Sequence, residues 1–220
     1  MDADFKQEAR GLSGPLKVTI AREFGLAFLE PMLFAFMKAH PEIALTIDFD
    51  DRIADLKNEN YDLAVRITDS ETADLTCLPL GIAHHGLFAS PDYVEKLGIP
   101  ATVSDLTNHA ILHYGSSRRP RWEFMCHGKP QSVTFRSALN SNNGPFLMDA
   151  AINGKGIARL PEFLARGSVE SGQLVAVLPE VELAAFTIQV AYRANRRLNK
   201  RMRAFVTALQ TSCAMLKQKA

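Results

Sequence analysis

Several features that would mark a particular kind of protein are scarce or missing in this 220-residue sequence. It has only three cysteines, Cys77, Cys126 and Cys213, and no two of them have the CxxC spacing. This odd, scattered set argues against a disulfide framework and favours a reducing compartment. The amino-terminal residues lack the apolar core that a signal peptide needs, and no apolar run is long enough to span a bilayer. We therefore expect a cytoplasmic protein without membrane contact.

Positive charge is not in excess either. The 25 Lys and Arg residues nearly balance the 24 Asp and Glu residues, which gives a formal net charge of +1 at pH 7. Binding to duplex DNA or to anionic membranes usually requires a clear basic excess. We therefore do not expect this chain to bind DNA by itself. The composition, 47% hydrophobic and 22% charged, is typical of a globular protein.

Motifs that carry catalysis or bind metals are also missing. The sequence contains no HExxH, no GxSxG and no Cys/His set with metal-ligand spacing. His84 and His85 are adjacent on a predicted strand, so their side chains point to opposite faces and cannot easily share a metal. The pair Cys126-His127 flanks a turn and does not make a site by itself, and the basic cluster at 118–121 is typical of a solvated loop. We expect no enzyme activity, no cofactor and no metal.

The first third of the chain alternates strands with helices. Strands are predicted at 15–20, 44–49 and 63–67, and helices over 23–39 and 52–58. This β-α-β-α-β order predicts an α/β fold with parallel strands and right-handed connections. The helix over 23–39 is apolar on nearly all sides, which predicts burial on more than one face. Pro31 is expected to kink this helix or to start its main part.

The later elements alternate less regularly. We predict an extended run over 75–89, a helix capped by Ser90, a strand at 110–114, a hairpin of 122–125 and 131–137, a helix over 144–153, a strand at 157–160, a helix over 161–165, strands at 174–178 and 186–191, and a last helix over 200–216.

The stretch SNNGPFLMDAAINGKGIA, residues 141–158, looks at first like a phosphate-binding loop. Phosphate cradles run strand, glycine loop, helix, whereas the run Gly154–Gly156 follows a helix and precedes a strand. Gly154 is therefore predicted to end the helix in the left-handed conformation. Ser141–Gly144 does precede a helix, and Asn142 or Asn143 can cap it. Free amides there could also meet a polar or anionic ligand, so capping alone and capping with ligand contact both stay open.

The order of these segments resembles the effector-binding domain of LysR-type transcriptional regulators. The matching runs lie at 14–67, 87–114, 143–167 and 173–179, so the resemblance covers nearly the whole chain. Residues 2–10 look like the tail of that family's linker helix. The winged helix-turn-helix expected before it is absent, which suggests a fragment of a longer regulator.

The resemblance implies a fold like that of type 2 periplasmic binding proteins. Two Rossmann-like α/β lobes would be joined by two crossover strands, with a cleft between them. We assign residues 1–11 to the end of the linker helix, 12–88 and 187–216 to lobe I, and 89–186 to lobe II.

The resemblance also implies a small-molecule effector in the cleft. Ligands of open α/β sheets bind beyond the carboxyl ends of the strands. The candidate contacts are Ala21, Arg22, Glu23, Asp50 and Arg66 from lobe I, and Ser90, Asn142, Asn143 and Gly144 from lobe II. Family members often have a small residue or proline where this chain has Arg22. That arginine could bind a carboxylate or point to solvent, and we expect a polar, anionic effector.

Two classes of function follow from the resemblance. The first is the ligand-sensing domain of a transcription factor, which controls DNA binding through a dimer; the alternative is a free-standing solute-binding protein. The surplus apolar surface of the helix over 23–39 favours a homodimer, or a tetramer in the full-length regulator, with DNA bound only through the missing domain. The family implies antiparallel pairing with the partner's helix near 145–153. The expected interface residues are Phe28, Met32, Phe36 and Ala39.

Overall fold

The computed structural model describes residues 12–52, 60–68, 74–126, 128–195 and 197–217. Its strands are β1 Gly14–Ile20, β2 Ile43–Phe49, β3 Leu63–Ile67, β4 Leu75–Ala83, β5 His85–Ala89, β6 Ile111–Tyr114, β7 Arg121–Cys126, β8 Lys129–Thr134, β9 Ser137–Ser141, β10 Ile157–Pro161, β11 Val175–Val177, β12 Glu182–Leu183 and β13 Phe186–Arg193. The helix predicted over 52–58 falls almost entirely outside the described residues.

The first helical segment, α1, has three parts: an α-helical turn Arg22–Phe24, a π-helical turn Gly25–Leu29 and an α-helix Glu30–Ala39. The other helices are α2 Pro91–Leu97, α3 Gly144–Ile152, α4 Glu162–Glu170 and α5 Lys200–Cys213, with 3-10 turns at Asp105–Asn108 and Ala214–Lys217. Most predicted elements are confirmed within one or two residues. The helix expected over 161–165 is longer, and the segment expected as one strand over 131–137 divides between β8 and β9.

The chain forms two compact units. Unit 1 comprises the residues up to Ile82 and those from Phe186 onward, and unit 2 comprises Ala83–Ala185. Residues 83–88, which the sequence analysis assigned to lobe I, therefore belong to unit 2. The physical reason is the pairing of β5 with β10 and β11, which places this strand inside the sheet of unit 2.

Unit 1 is built on a five-stranded sheet in the order β2-β1-β3-β13-β4. Strand β1 is parallel to β2 and to β3, as the β-α-β pattern predicted, whereas β13 runs antiparallel to β3. The inner face of α1 is a stripe of four buried residues, Leu29, Met32, Leu33 and Phe36. Their spacing of three and four residues is that of one helix face. The Phe36 ring meets the buried Phe205 of α5 edge-on, with centroids 5.1 Å apart.

This packing corrects two of the expected dimer contacts. Met32 and Phe36 lie in the core of unit 1, Phe28 is half-buried and stacks on Phe24 with centroids 5.2 Å apart, and Ala39 is exposed. Within the regular α-helix Glu30–Ala39, Met32 and Phe36 lie on the face that packs inward, where Phe36 meets Phe205 of α5, so the outward face differs from the expected one. The large apolar side chains that α1 exposes are Leu26, Phe34 and Met37, which we call the outer stripe.

Unit 2 contains a five-stranded sheet, β11-β5-β10-β6-β9, and a three-stranded sheet, β12-β7-β8. Strand β10 is parallel to β6, which is parallel to β9, while β5 runs antiparallel to β10. Alternate residues of the larger sheet face two separate cores. One core contains Leu112, Ala158 and Leu160 with Leu147 of α3 and Ala165 of α4. The other contains Leu87, Ile111 and Ile157 with Trp122, Phe124 and Phe135 from the region of the β7–β8 hairpin.

Gly156 lies where unit 2 leaves no room for a side chain. Its φ is +150°, and an added Cβ would lie 2.2 Å from the carbonyl oxygen of Ala110. We therefore expect Gly156→Ala to destabilise the protein by roughly 2–4 kcal/mol, since backbone strain and overlap add. The matched control is Gly172→Ala, because Gly172 has a φ of +74° and no atom of the described residues lies within 4 Å of its added Cβ. Urea denaturation should show a loss of about 1 kcal/mol for the control, and equal losses would contradict the account.

Candidate functional site

Three strands of unit 1 end side by side at one edge of its sheet. In the register of the strands, Ile20 pairs with Phe49 of β2 and with Val65 of β3. The next residue along each strand therefore lies at the same edge. These three residues are Ala21, Asp50 and Arg66, all of them expected at the site. The register thus brings together the unit 1 residues that the sequence predicted from separate segments.

The start of α1 is drawn close to this edge. The amide of Ala21 donates to the carbonyl of Val65 at 2.9 Å, and the amide of Gly25 donates to the carbonyl of Ala21 at 2.8 Å. Gly25 is needed here because an added Cβ would lie 2.4 Å from the ring of Phe49. The helix can therefore begin directly above the strand ends only with glycine at this position.

Acidic side chains already occupy part of the edge. The Asp51 carboxylate accepts a hydrogen bond from the Arg22 amide at 2.8 Å, so this helix-terminal amide is used within the protein. The Asp50 carboxylate accepts from Nε of Arg52 at 2.7 Å and from the Arg52 amide at 3.0 Å. These hydrogen bonds from Arg52 lower the pKa of Asp50 to about 2. Asp50 is therefore ionised at neutral pH and is held by Arg52, while Arg22 itself is exposed.

Hydrogen bonds at this edge of the sheet orient the guanidinium of Arg66. It is half-buried, and Nη2 donates to the hydroxyl of the fully buried Thr19 at 2.8 Å. Its Nη1 donates to the carbonyl of Val65 at 3.0 Å. Both acceptors are neutral, so these two bonds orient the guanidinium, whose charge also helps to lower the pKa of the nearby Asp50. An oriented, partly desolvated arginine of this kind suits a carboxylate.

In unit 2 the loop before α3 is confirmed as a helix cap. The side chain of Asn143 accepts a hydrogen bond from the Phe146 amide at 2.8 Å, and the Asn143 amide donates to the Ser141 hydroxyl at 3.1 Å. Gly144 is buried and Asn142 is exposed. At the other end of α3, Gly154 has a φ of +69°, so it ends the helix in the left-handed conformation, as predicted.

The sheet separates Ser90 from that loop, which corrects its place among the site residues. Because β5 runs antiparallel to β10, the carboxyl end of β5 lies at the opposite edge from the carboxyl ends of β6, β9 and β10. An added Cβ on Gly154, beyond the far end of α3, would lie 3.6 Å from the Ser90 hydroxyl. A nine-residue helix is about 13 Å long. Ser90, which caps α2, therefore does not share a site with Asn142, Asn143 and Gly144.

The structure also shows a set of polar residues that the sequence analysis missed. On one face of the larger sheet in unit 2, four neighbouring strands each carry a polar residue near the same edge. We call these residues the polar row: His85, Arg159, His113 and Asn140. His113 pairs directly with Asn140, and the other two lie two residues from apolar core positions of the same face. The sequence does contain a signal for this set: Arg159 is a charged residue at an inward position of the otherwise apolar strand IARLP.

The polar row is positively charged and partly desolvated. Nη2 of Arg159 donates to the carbonyl of Ala184 at 2.8 Å. Burial, and next the nearby Arg159 charge, lower the pKa of His85 to about 4. Burial and then Arg159 also lower the pKa of His113. The Oδ1 atom of Asn140 is buried and has no hydrogen-bond partner within the described part of the protein.

Neither metal nor membrane features stand out among the described residues. No group of three or more His, Cys, Asp or Glu side chains in those ranges could hold a metal ion. No helix there is long and apolar enough to cross a membrane. Cys213 is buried, Cys77 and Cys126 are partly buried, and none of the three forms a disulfide in the structure.

Comparison with known proteins places the chain in a family. The model of the LysR substrate binding domain matches residues 9–214. The chain belongs to the LysR substrate-binding domain family. An uncharacterized HTH-type transcriptional regulator from Haemophilus influenzae is 35% identical over 198 residues, which is 90% of this chain and 69% of that protein. The probable HTH-type transcriptional regulator LtrA of Klebsiella pneumoniae is 28% identical over 92% of this chain and 67% of its own length.

A solved LysR-type regulator has the same fold. The structure of CrgA, a LysR-type transcriptional regulator from Neisseria meningitidis, superimposes with a TM-score of 0.82 at 23% identity, over 96% of this chain and 73% of that one. Regulatory domains of this family have the two-lobe α/β fold of periplasmic binding proteins, so the expected fold class is confirmed. The strand edges described above belong to a LysR effector-binding domain.

Burial of His85 should make the stability of this LysR domain depend on pH. Its pKa is about 4 in the folded protein against 6.5 as the ordinary value, so the unfolded chain binds the proton more readily between these pH values. The stabilisation is present above pH 6.5 and is lost as the pH falls towards 4. From pH 7 to pH 5 we expect the free energy of unfolding to fall by about 2 kcal/mol from this group.

Urea denaturation at the two pH values measures this loss. In a His85→Gln variant the loss between pH 7 and pH 5 should be smaller by that amount. His84→Gln removes only a minor influence on the pKa of His85 and should keep most of the pH dependence. An unaltered pH dependence in His85→Gln would show that the burial of His85 is not the cause.

Proposed function

We propose that this LysR domain senses a small, polar, anionic effector and thereby controls the DNA binding of the regulator to which it belongs. The observation that carries the proposal is Arg66. Its guanidinium lies where three strands end and is oriented by Thr19 and Val65. A carboxylate placed there would gain charge-assisted hydrogen bonds worth roughly 1.5–3 kcal/mol each.

Arg66 is a stronger candidate than Arg22. Arg22 is exposed, and an exposed ion pair contributes little. The amide of Arg22, which could have met an anion at the helix start, instead binds Asp51. Arg66 is half-buried, so solvent screens its charge less. The unit 1 residues of the proposed site are therefore Ala21, Asp50 and Arg66, with Arg22 and Glu23 at its rim.

Unit 2 presents candidate effector contacts of its own, in the loop before α3 and at the end of the polar row. The carboxyl ends of β6, β9 and β10 share one edge, as the pairing of Tyr114 with Ser141 indicates. Asn142, Asn143 and Gly144 follow β9 at this edge. Arg159 and His113, from neighbouring strands, add a positive group and a neutral imidazole. The expectation that the effector lies between the two lobes rests on the family resemblance and stays a prediction.

Effector binding should depend on Arg66 more than on Arg22. A thermal-shift screen of mono- and dicarboxylate metabolites would identify a ligand, and calorimetry would measure its Kd for each variant. We expect Arg66→Gln to weaken binding about tenfold or more, since one lost charge-assisted bond exceeds 1.4 kcal/mol. Arg22→Ala should have the smaller effect because its side chain is exposed.

The matched control is Lys38→Gln. Lys38 is an exposed cation of the same unit, but it lies in the last turn of α1, away from the helix start at the strand ends. This variant should bind the ligand like the unchanged chain. If Arg66→Gln bound the anion as tightly as the control, the proposed recognition by Arg66 would be wrong.

We also propose that the domain forms a dimer through the outer stripe. Leu26, Phe34 and Met37 are 51%, 62% and 50% exposed, and their positions place them along one side of α1. Phe146 of α3 is 53% exposed and suits the antiparallel partner helix that the family implies. A stable pairing should bury about 1,000 Å² or more in total.

Light scattering tests this dimer directly. The unchanged chain should be dimeric at tens of micromolar, and Phe34→Glu with Met37→Glu should make it monomeric, because two charges cannot be buried unpaired. The control is Leu97→Glu, since Leu97 of α2 is 61% exposed but lies outside the outer stripe. A monomeric unchanged chain, or an equal effect of Leu97→Glu, would contradict the proposal.

The alternative of a free-standing solute-binding protein gains no support from these findings. Both relatives described above are named as HTH-type transcriptional regulators, and the family is regulatory. We therefore favour a regulatory domain over a transport receptor or an enzyme.

A further inference from the structure

Unit 2 carries a concentration of arginine that neither the effector site nor the dimer uses. The stretch 118–136 contains five of the nine Lys and Arg residues of unit 2 but only one of its nine acidic residues, Glu123. Unit 2 as a whole is therefore neutral, yet its positive charge is gathered at one place. We call the group formed by Arg118, Arg119, Arg121 and Arg136 the arginine corner.

Backbone pairing brings these four arginines together. The amide of Phe135 donates to the carbonyl of Pro120 at 2.9 Å, and the amide of Ser137 donates to the carbonyl of Arg118 at 3.2 Å. Arg136 therefore lies directly across from Arg119. Arg121 begins β7, where it pairs with Thr134 of β8.

Buried residues hold the backbone of the arginine corner in place, while its arginine side chains face solvent. Pro120, Trp122 and Phe135 alternate with the arginines and are buried, and the rings of Trp122 and Phe135 lie 5.0 Å apart. All four arginines are exposed. In the described part of the chain, no acidic side chain forms an ion pair with any of them. The scaffold therefore holds four like charges close together without internal compensation.

The balanced net charge of the chain argued against DNA binding by itself, but charge gathered at one place can act locally. We propose that the arginine corner binds the phosphate backbone of duplex DNA without reading its sequence. A single small anion would gain little at an exposed arginine. A polyanion can meet several guanidinium groups at once, and arginine suits phosphate because of its planar set of donors.

The surroundings favour DNA over an acidic protein. Protein interfaces depend on buried aromatic and apolar anchors, but no large apolar side chain is exposed within 116–121 or 134–137. The corner's exposed neighbours are instead the hydroxyl residues Ser116, Ser117 and Thr134, which suit phosphate oxygens. The relatives described above are named as HTH-type transcriptional regulators, a class of protein that acts on DNA.

Fluorescence anisotropy with a labelled 24-base-pair duplex of arbitrary sequence tests the proposal. Measured between 25 and 200 mM NaCl, binding of the 220-residue chain should weaken with a log–log slope of about −3 to −4, because each phosphate contact contributes about −0.9. The triple variant Arg118→Ser, Arg119→Ser, Arg121→Ser should lower the size of this slope by about 2.7. At 50 mM NaCl its affinity should fall at least tenfold.

The matched control removes three exposed cations elsewhere in unit 2, through Lys96→Ser, Lys155→Ser and Arg166→Ser. It has the same net charge as the triple variant and should bind nearly like the unchanged chain. The single variant Arg136→Ser should change the slope by about 0.9 and guards against misfolding of the triple variant. Circular dichroism would check the fold of each.

Three results would overturn the proposal. The first is no duplex binding by the unchanged chain at 25 mM NaCl. The second is an equal loss of DNA affinity in the matched control. The third is equally tight binding of poly-L-glutamate, which would indicate an acidic polypeptide partner. None of these measurements involves the effector, so their failure would leave the proposed function untouched.

Discussion

The burial of one face of α1 determines where the candidate site of unit 1 can form. Leu29, Met32, Leu33 and Phe36 form the inner stripe, and Phe36 meets Phe205 of α5. With this stripe buried, the amino end of α1 is held over the ends of β1, β2 and β3, where Gly25 lies against the ring of Phe49. The same packing leaves the outer stripe exposed. One helix thus links the core, the strand edge and the proposed dimer surface.

Local patterns were sufficient to predict the elements and one strand edge. Alternation of apolar residues located β1, β2 and β3, and because parallel strands end together, the positions of Ala21, Asp50 and Arg66 followed. The helix cap at Asn143 followed from its residue type and position. These features depend on residues close together in sequence or on a connection whose geometry has only one common form.

The errors arose where contacts distant in sequence decide the outcome. Ser90 was misplaced because the antiparallel pairing of β5 with β10 joins residues about seventy positions apart. Met32 and Phe36 were expected at the dimer interface because the contact of Phe36 with Phe205, about 170 positions later, decides which face of α1 is buried. The polar row was missed because Arg159 and His113 become neighbours only when β10 and β6 pair. Composition revealed none of these arrangements.

We propose that a small anion binds at the strand ends of unit 1 beside Arg66. The most direct measurement is a titration of the 15N-labelled chain with a carboxylate that stabilises it, followed by NMR. If the anion binds at this edge, the amide signals of Ala21, Asp50 and Arg66 should shift together and saturate with one Kd. Shifts confined to residues away from this edge, with these three signals unchanged, would contradict it.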